Sequence, residues 1–266
     1  MEYRLITCNS LIKKITKKDI LFNGVYCLDP YQNCEFDCQY CDSSFEKTIY
    51  IKTNASEILE KEIIHLKKEV IIIGSVNDPY QKAEEKYEIT KNLLKTIKKH
   101  GFPCHILTKS TLIQRDIDLL KEMKSMVTVS IPSLDKNIIN LFEKDVPSPE
   151  KRFQTVELLV ENKIKTGVAM IPIIPFLTEL EIERIIRKTS LSKAQYFLHK
   201  HLELKGDQKI VFRKIIKTQY PHILPKIDEL YKDDFKPSEK FIEALDENVH
   251  RLCKKYDIPE KIKFKN

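Results

Sequence analysis

The sequence predicts an α/β protein built as a partial (β/α)6 TIM-type barrel with a C-terminal helical extension. Three observations predict it. Short β-branched runs alternate with amphipathic stretches over most of the chain. Strands joined by helices run parallel with right-handed crossovers, and about six such units can be counted. From about residue 200 the alternation stops and helical periodicity alone continues. The chain has 266 residues and 42% hydrophobic content, enough for one large core. A single domain is therefore expected, with the barrel at about 20–200 and a tail at about 201–266 packed on its open side.

The first strand is expected near residues 25–28. The second is Val70-Ile71-Ile72-Ile73, a run suited to burial on both faces of a parallel sheet. A helix follows over 83–99, with Leu93, Leu94 and Ile97 on one side, and Gly101 ends it. Pro103-Cys104-His105-Ile106-Leu107 opens the third strand. Helices near 116–124, 149–162 and 179–188 lead to strands at 127–131, 166–171 and 194–198. In the tail, 226–231 and 237–256 read as helices, the second with Phe241, Leu245, Val249 and Leu252 on one face.

In a barrel of this kind the chemistry sits on the loops after the strands' C-terminal ends. The loop after the first strand holds Cys34, Cys38 and Cys41 in a C-x3-C-x2-C triplet. Three thiolates in one loop can hold three irons of a [4Fe-4S] cube and leave the fourth iron open to a small chelating molecule. Structural zinc is the rival. It wants four ligands, usually in two separated pairs, and Cys8 and Cys27 upstream lack that spacing.

Bulk properties favour an intracellular enzyme. No run of about 18 apolar residues predicts a membrane span, and the N-terminus lacks a signal-peptide apolar region, so a cytoplasmic location with no membrane partner is expected. Seven cysteines, three of them together, do not form a secreted disulfide framework. The other four, Cys8, Cys27, Cys104 and Cys253, read most simply as buried apolar residues. A net charge of +7 is spread over the whole chain, in pairs such as Lys98-Lys99 and Lys254-Lys255. It reads as solvated helix faces, with nucleic acid left as one class of partner.

Further polar residues follow successive strands. After the second come Gly74, Ser75, Asn77 and Asp78: the glycine lets backbone approach a ligand, and Asn77 and Asp78 offer acceptors to an ammonium group. A turn capped by Asp-Pro is the plainer reading. Lys109 follows the third strand and can pair with a carboxylate; Ser130 ends the fourth and can bond the same ligand. After the fifth, Ile171-Pro172-Ile173-Ile174-Pro175 forms a rigid apolar ledge suited to an adenine face, or a stiffened loop. Glu143 and Arg152 are candidates to orient substrate or to brace the fourth-strand loop, with a structural ion pair as the alternative; Arg115 with Asp116 or Asp118 also reads as a structural ion pair.

With Tyr40 before the last cysteine, the triplet becomes C-x3-C-x-aromatic-C, and the chain resembles the spore photoproduct lyase-like branch of the radical S-adenosylmethionine (SAM) superfamily. The matching stretches are Asp29 to Cys34 with its cysteine loop, Asn77-Asp78-Pro79-Tyr80-Gln81 with Glu84, and Leu107 to Ser110 leading into Arg115-Asp116. They continue with Val129-Ser130-Ile131, Phe142-Glu143, Arg152 and Ile171 to Pro175, and span residues 25 to 190. The resemblance implies that SAM chelates the open iron of the cluster. It implies that Lys109 and Ser130 meet its methionine end, that Tyr40 and the backbone near Ile171 meet adenine, and that Gly74 to Asn77 line the amine side. It also implies reduction by a donor such as flavodoxin or ferredoxin, SAM cleavage, and a 5′-deoxyadenosyl radical that takes hydrogen from a substrate.

Two departures bear on that substrate. Photoproduct lyases carry a hydrogen-donating cysteine at the end of the second strand, where this chain has Gly74-Ser75, and an aromatic after the third cluster cysteine, where it has Asp42. A serine O–H bond is too strong to quench a substrate radical. DNA photoproduct repair is therefore an alternative reading that needs Cys104 or another thiol as the donor. A non-catalytic iron–sulfur protein is the alternative from another class, and Gly74, Lys109 and Ser130 argue against it.

Overall fold

A computed structural model describes residues 1–17, 19, 21–44 and 46–262. Residue 20, where the barrel was expected to begin, and residues 263–266 of the tail lie outside the described residues. The strands are β1 (Glu2–Ile6), β2 (Lys13–Lys14), β3 (Tyr26–Leu28), β4 (Tyr31–Gln32), β5 (Thr48–Lys52), β6 (Ile71–Ile73), β7 (Cys104–Thr108), β8 (Ser125–Ser130), β9 (Lys165–Ile173) and β10 (Tyr196–His201). The helices are α1 (Ala55–Ile63), α2 (Ala83–Tyr87), α3 (Ile89–Lys99), α4 (Ile117–Lys121), α5 (Lys136–Phe142), α6 (Pro149–Glu161), α7 (Ile182–Leu191), α8 (Gly206–Gln219), α9 (Leu224–Leu230) and α10 (Glu239–Lys255).

The main sheet runs β10-β9-β8-β7-β6-β3-β2. The six strands from β3 to β10 are mutually parallel, as expected, and β2 pairs antiparallel with β3 at the edge. Register and period-2 alternation explain the two sides of this sheet. Tyr26, Leu28, Ile71, Ile73, Cys104, Ile106, Val127, Val129, Val168, Met170 and Phe197 face outward and pack with helical residues such as Leu59, Leu93, Phe153, Ile185 and Val249. The alternate positions Cys27, Ile72, Leu107, Met126, Ala169, Tyr196 and Leu198 form a separate inner cluster.

Cys27, Ile72, His105 and Met126 lie in one row across four strands. Behind this row a polar network crosses the interior. His105 Nδ1 meets the Phe22 carbonyl at 3.0 Å and Nε2 meets Thr128 Oγ1 at 2.6 Å. A carbonyl only accepts, so Nδ1 carries the proton and Thr128 donates to Nε2. The Thr128 hydroxyl also lies 2.8 Å from the Tyr196 hydroxyl, which donates to the Val127 carbonyl at 3.0 Å. A side chain at Gly167 would collide with the Tyr196 ring, its Cβ only 2.1 Å from Cε2, so this strand position must be glycine.

Several elements differ from expectation. The helix expected over 83–99 is two helices, because Glu88 takes a left-handed conformation, φ 48°, between α2 and α3. α1, α5 and α8 were not anticipated, nor was a second sheet of order β1-β5-β4. β9 runs on through Pro172 to Ile173, so the apolar ledge is the end of a strand. Among the described residues no helix is long and apolar enough to cross a membrane.

Candidate active site

At the C-terminal ends of the parallel strands a cavity of about 460 Å3 opens. Cys34, Cys38 and Cys41 all line it, together with Tyr40, Gly74, Ser75, Asp78, Lys109, Ser130 and Ile171. Ten residues singled out in the sequence thus meet in one place, contributed by the cysteine loop and by the ends of β6, β7, β8 and β9.

The cysteine loop is held by its backbone. Cys34 N–H donates to the Ser43 carbonyl at 2.9 Å, Cys41 N–H to the Cys38 carbonyl at 3.0 Å, and Gln39 N–H to the Phe142 carbonyl at 2.9 Å. Cys38 forms an isolated antiparallel bridge with Glu143. All three thiols are free of disulfides. Burial pushes the Cys34 thiol up to about 12, with the nearby Asp78 charge adding to it, and burial raises the enclosed Cys38 as well. Such thiols give up their protons when a metal takes their place. Among the described residues no three His, Cys, Asp or Glu converge on the volume of a single metal ion. Three thiols around a cavity instead fit a cluster that accepts one thiolate on each of three irons.

Lys109 Nζ lies 3.9 Å from Glu143 Oε1 and 5.9 Å from the centre of the Tyr40 ring. Its burial acts to lower its pKa, but the acidic groups around it, the Cys38 thiol and the Glu143 carboxyl foremost, hold it above the ordinary lysine value. The lysine is a fixed cation facing the cavity. Ser130 donates its hydroxyl hydrogen to the Ile171 carbonyl at 3.2 Å and keeps its lone pairs for a ligand. Asp78 accepts from Thr108 Oγ1 at 2.7 Å, Lys109 N–H at 2.7 Å and Tyr80 N–H at 2.9 Å, so much of its capacity goes to tying the β6 and β7 loops together. Gly74 has φ 88°, and a Cβ there would come within 2.4 Å of the Leu107 carbonyl and 2.5 Å of the Pro79 ring. Neighbouring chain, rather than a ligand, fills the space that a side chain would need.

Four expected residues are not in the cavity wall. Asn77 turns to β3 and β4, its N–H on Asp29 Oδ1 and its amide on the Tyr31 carbonyl. Cys104 stands at the first position of β7, the opposite strand end, fully buried in the outer core. At that position its thiol is not among the groups that line the cavity. Glu143 and Arg152 sit directly behind the wall as a buried ion pair, Nη2 to Oε2 at 2.5 Å. Arg152 also donates to the Ser130 carbonyl at 2.9 Å and the Pro147 carbonyl at 2.7 Å, and the Tyr40 hydroxyl donates to Glu143. The pair braces the wall from behind. Arg115 pairs with Asp116, at 2.8 Å, and not with Asp118, whose partner is Lys121.

The far side of the cavity was missed. Lys200, His201, Leu202, Glu203, Lys205 and Gln208 line it, from the end of β10 to the start of α8. Glu203 is held by Lys200 at 3.0 Å and Lys205 at 2.9 Å. His201 Nε2 is the buried side-chain atom without a hydrogen-bond partner among the described residues, and burial lowers the His201 pKa. The same side chain lines two adjoining cavities, one in the barrel interior and one beside α9 and α10. The strand-end rule used for the earlier strands would have found it at the end of β10.

The model of the Radical SAM superfamily matches residues 28–189. The uncharacterized protein MJ0683 of Methanocaldococcus jannaschii is 31% identical over 207 residues, covering 74% of this chain and 76% of that one. The uncharacterized protein Rv2578c of Mycobacterium tuberculosis is 24% identical over 277 residues, covering 94% and 80%. In fold, the chain is similar to spore photoproduct lyase complexed with dinucleoside spore photoproduct, with a TM-score of 0.74, 14% identity, and coverage of 96% and 79%. It is also similar to Streptococcus suis SuiB bound to precursor peptide SuiA, with a TM-score of 0.59, 13% identity, and coverage of 88% and 47%.

Proposed function

Since the chain belongs to the radical SAM superfamily and is an enzyme of that class, with a [4Fe-4S] cluster and SAM as cofactors, we propose that Cys34, Cys38 and Cys41 hold the cluster and that the rest of the cavity holds SAM. When bound, the reduced cluster supplies the electron that cleaves SAM, giving a 5′-deoxyadenosyl radical that abstracts hydrogen from the substrate. The observation that carries this reading is the meeting of the three thiols with Lys109, Ser130 and Ile171 in one cavity at the ends of adjacent strands.

The chain's own residues divide the task of binding. Lys109 offers hydrogens to the cofactor carboxylate, and Ser130 offers lone pairs to its ammonium or hydroxyl groups. Ile171 and Tyr40 give the adenine an apolar wall, and Glu143 with Arg152 keeps that wall in place from behind. Polar groups fixed before the ligand arrives need no reorganisation during reaction. The 460 Å3 cavity has the size of a single small-ligand site. Substrate is therefore proposed to approach from the side of Lys200, His201 and Lys205, through the adjoining cavities.

The substrate remains one of two kinds, a nucleic acid or a small metabolite or peptide. Direct photoproduct repair is disfavoured: the cysteines lining the cavity are the three cluster ligands, and Ser75 stands at the end of β6. The chain is proposed to work as one unit in the cytoplasm, reduced by a flavodoxin- or ferredoxin-type donor.

Anaerobic reconstitution with iron and sulfide, then reduction with dithionite in the presence of SAM, tests the reading. Brown protein should release 5′-deoxyadenosine and methionine, and alanine at any of the three cysteines should abolish both products. A colourless protein with one bound zinc would sink the proposal.

A further inference from the structure

Gln81 belongs to the Asn-Asp-Pro-Tyr-Gln stretch after β6 and is fully buried. Its amide makes two hydrogen bonds, both to the cysteine loop. Oε1 accepts from Glu35 N–H at 3.0 Å, and Nε2 donates to the Asn33 carbonyl at 3.1 Å. These two groups belong to the peptide bonds on either side of Cys34. The amide orientation follows from its partners, since only its oxygen can accept and only its nitrogen can donate. The side chain thus does for Cys34 what a neighbouring strand would do, fixing the backbone both before and after it. Glu35 adds a second attachment: its carboxylate accepts from Ala83 N–H at 2.6 Å and from the Tyr3 hydroxyl at 2.5 Å.

We propose that Gln81 is a positioning residue for the iron–sulfur cluster, setting the direction of the Cys34 sulfur and keeping the Glu35 N–H away from the ligand sulfurs. The inference rests on the assignment of Cys34 as a cluster ligand. Two consequences follow from cluster chemistry. Ligands whose supporting partners are removed hold metal less firmly, by roughly ten- to a hundred-fold. Backbone N–H groups donated to cluster sulfurs stabilise the reduced state. Freeing the Glu35 N–H therefore moves the reduction potential in the positive direction.

The test uses reconstituted full-length protein and three variants. Gln81→Ala removes both bonds. Gln81→Glu keeps the acceptor for Glu35 N–H and loses the donor to Asn33. Tyr80→Phe is the control for general loosening, because it removes the neighbouring 3.1 Å bond to Asp116 without touching the cysteine loop. The readouts are the rate of iron loss to a chelator, the electron paramagnetic resonance spectrum of the reduced cluster and its midpoint potential. Gln81→Ala should lose iron roughly tenfold faster or more, with an altered spectrum and a more positive potential. Gln81→Glu should lose iron at a rate between it and wild type, its added negative charge shifting the potential the other way, and Tyr80→Phe should match wild type. If Gln81→Ala does not fold, Gln81→Glu decides alone: faster iron loss with an altered spectrum supports the inference, and wild-type behaviour overturns it. The inference is also overturned if folded Gln81→Ala behaves as wild type, or if Tyr80→Phe changes the spectrum as much. A wild-type protein that takes up no cluster overturns the cysteine assignment itself, and this inference with it.

Discussion

Lys109 and Ser130 face the same cavity with opposite chemistry, one bringing hydrogens and a charge, the other lone pairs. Removal of each should weaken binding. Lys109→Ala deletes a charged hydrogen bond of about 1.5–3 kcal/mol and should weaken SAM binding roughly ten- to a hundred-fold. Ser130→Ala deletes a neutral acceptor whose hydrogen is already committed to Ile171, so a loss of about 0.5–1.5 kcal/mol is expected if it meets a cofactor hydroxyl, and about 1.5–3 kcal/mol if it meets the ammonium. Calorimetric titration of SAM into variants with equal iron content checks both, and unchanged binding in the two would mean that the cofactor lies elsewhere. At this scale much of the site was legible, because polar residues just past strand ends are unusual enough to notice. The exceptions are instructive. Glu143 and Arg152 satisfy each other out of sight of the cavity, and no pattern in one dimension tells a brace from a contact. His201 is hidden in the sequence because the strand–helix alternation breaks directly after β10, leaving no following amphipathic run to mark that strand's end.

Among elements, the six parallel strands were legible because each is a short β-branched run with a helix behind it. The β1-β5-β4 sheet was not. β1 is mostly exposed, and its partner β5 lies more than 40 residues along the chain (Glu2 opposite Thr48), so nothing local announces the pairing. α8 escaped for a related reason: its buried residues are few, Gln208, Phe212 and Ile216, and Ile210 faces solvent. β7, β8 and β10 share a pH-sensitive feature. Burial lowers the His105 pKa from 6.5 to about 4, so the fold holds a neutral ring that accepts from Thr128. Below pH 6.5 the unfolded chain takes up a proton that the folded chain refuses. Stability from this residue is therefore full above 6.5, falls as the pH drops, and is lost below about 4. The loss should approach about 3 kcal/mol. Urea unfolding of cluster-free protein at pH 7 and pH 4.5, in wild type and His105→Gln, isolates it; equal pH dependence in the two would refute this account.

For the whole molecule, the net charge of +7 carries less than it promises. Lys98 and Lys99 pair with Glu122 and Glu60, and Lys255 with Glu183, as on an ordinary solvated surface. Weak, salt-sensitive DNA binding would thus be no evidence of repair. With Ser75 at the end of β6 and Cys104 at the far end of β7, the reduced enzyme should form 5′-deoxyadenosine without converting thymine photodimers in DNA. Chromatography of restored thymine checks this. Multiple turnovers lost on replacing Cys27, the scattered cysteine that lines the adjoining barrel interior, would reverse the conclusion.

The attachments of the cysteine loop also bear on how the protein survives air. Gln81 and Glu35 bind the loop to the start of α2, Tyr3 binds it to β1, and the Cys38–Glu143 bridge binds it to the end of α5. None of these contacts passes through iron. If the three thiols hold a cluster as proposed, its loss leaves these protein-to-protein bonds in place, so iron and sulfide alone, without a refolding step, should restore the brown colour.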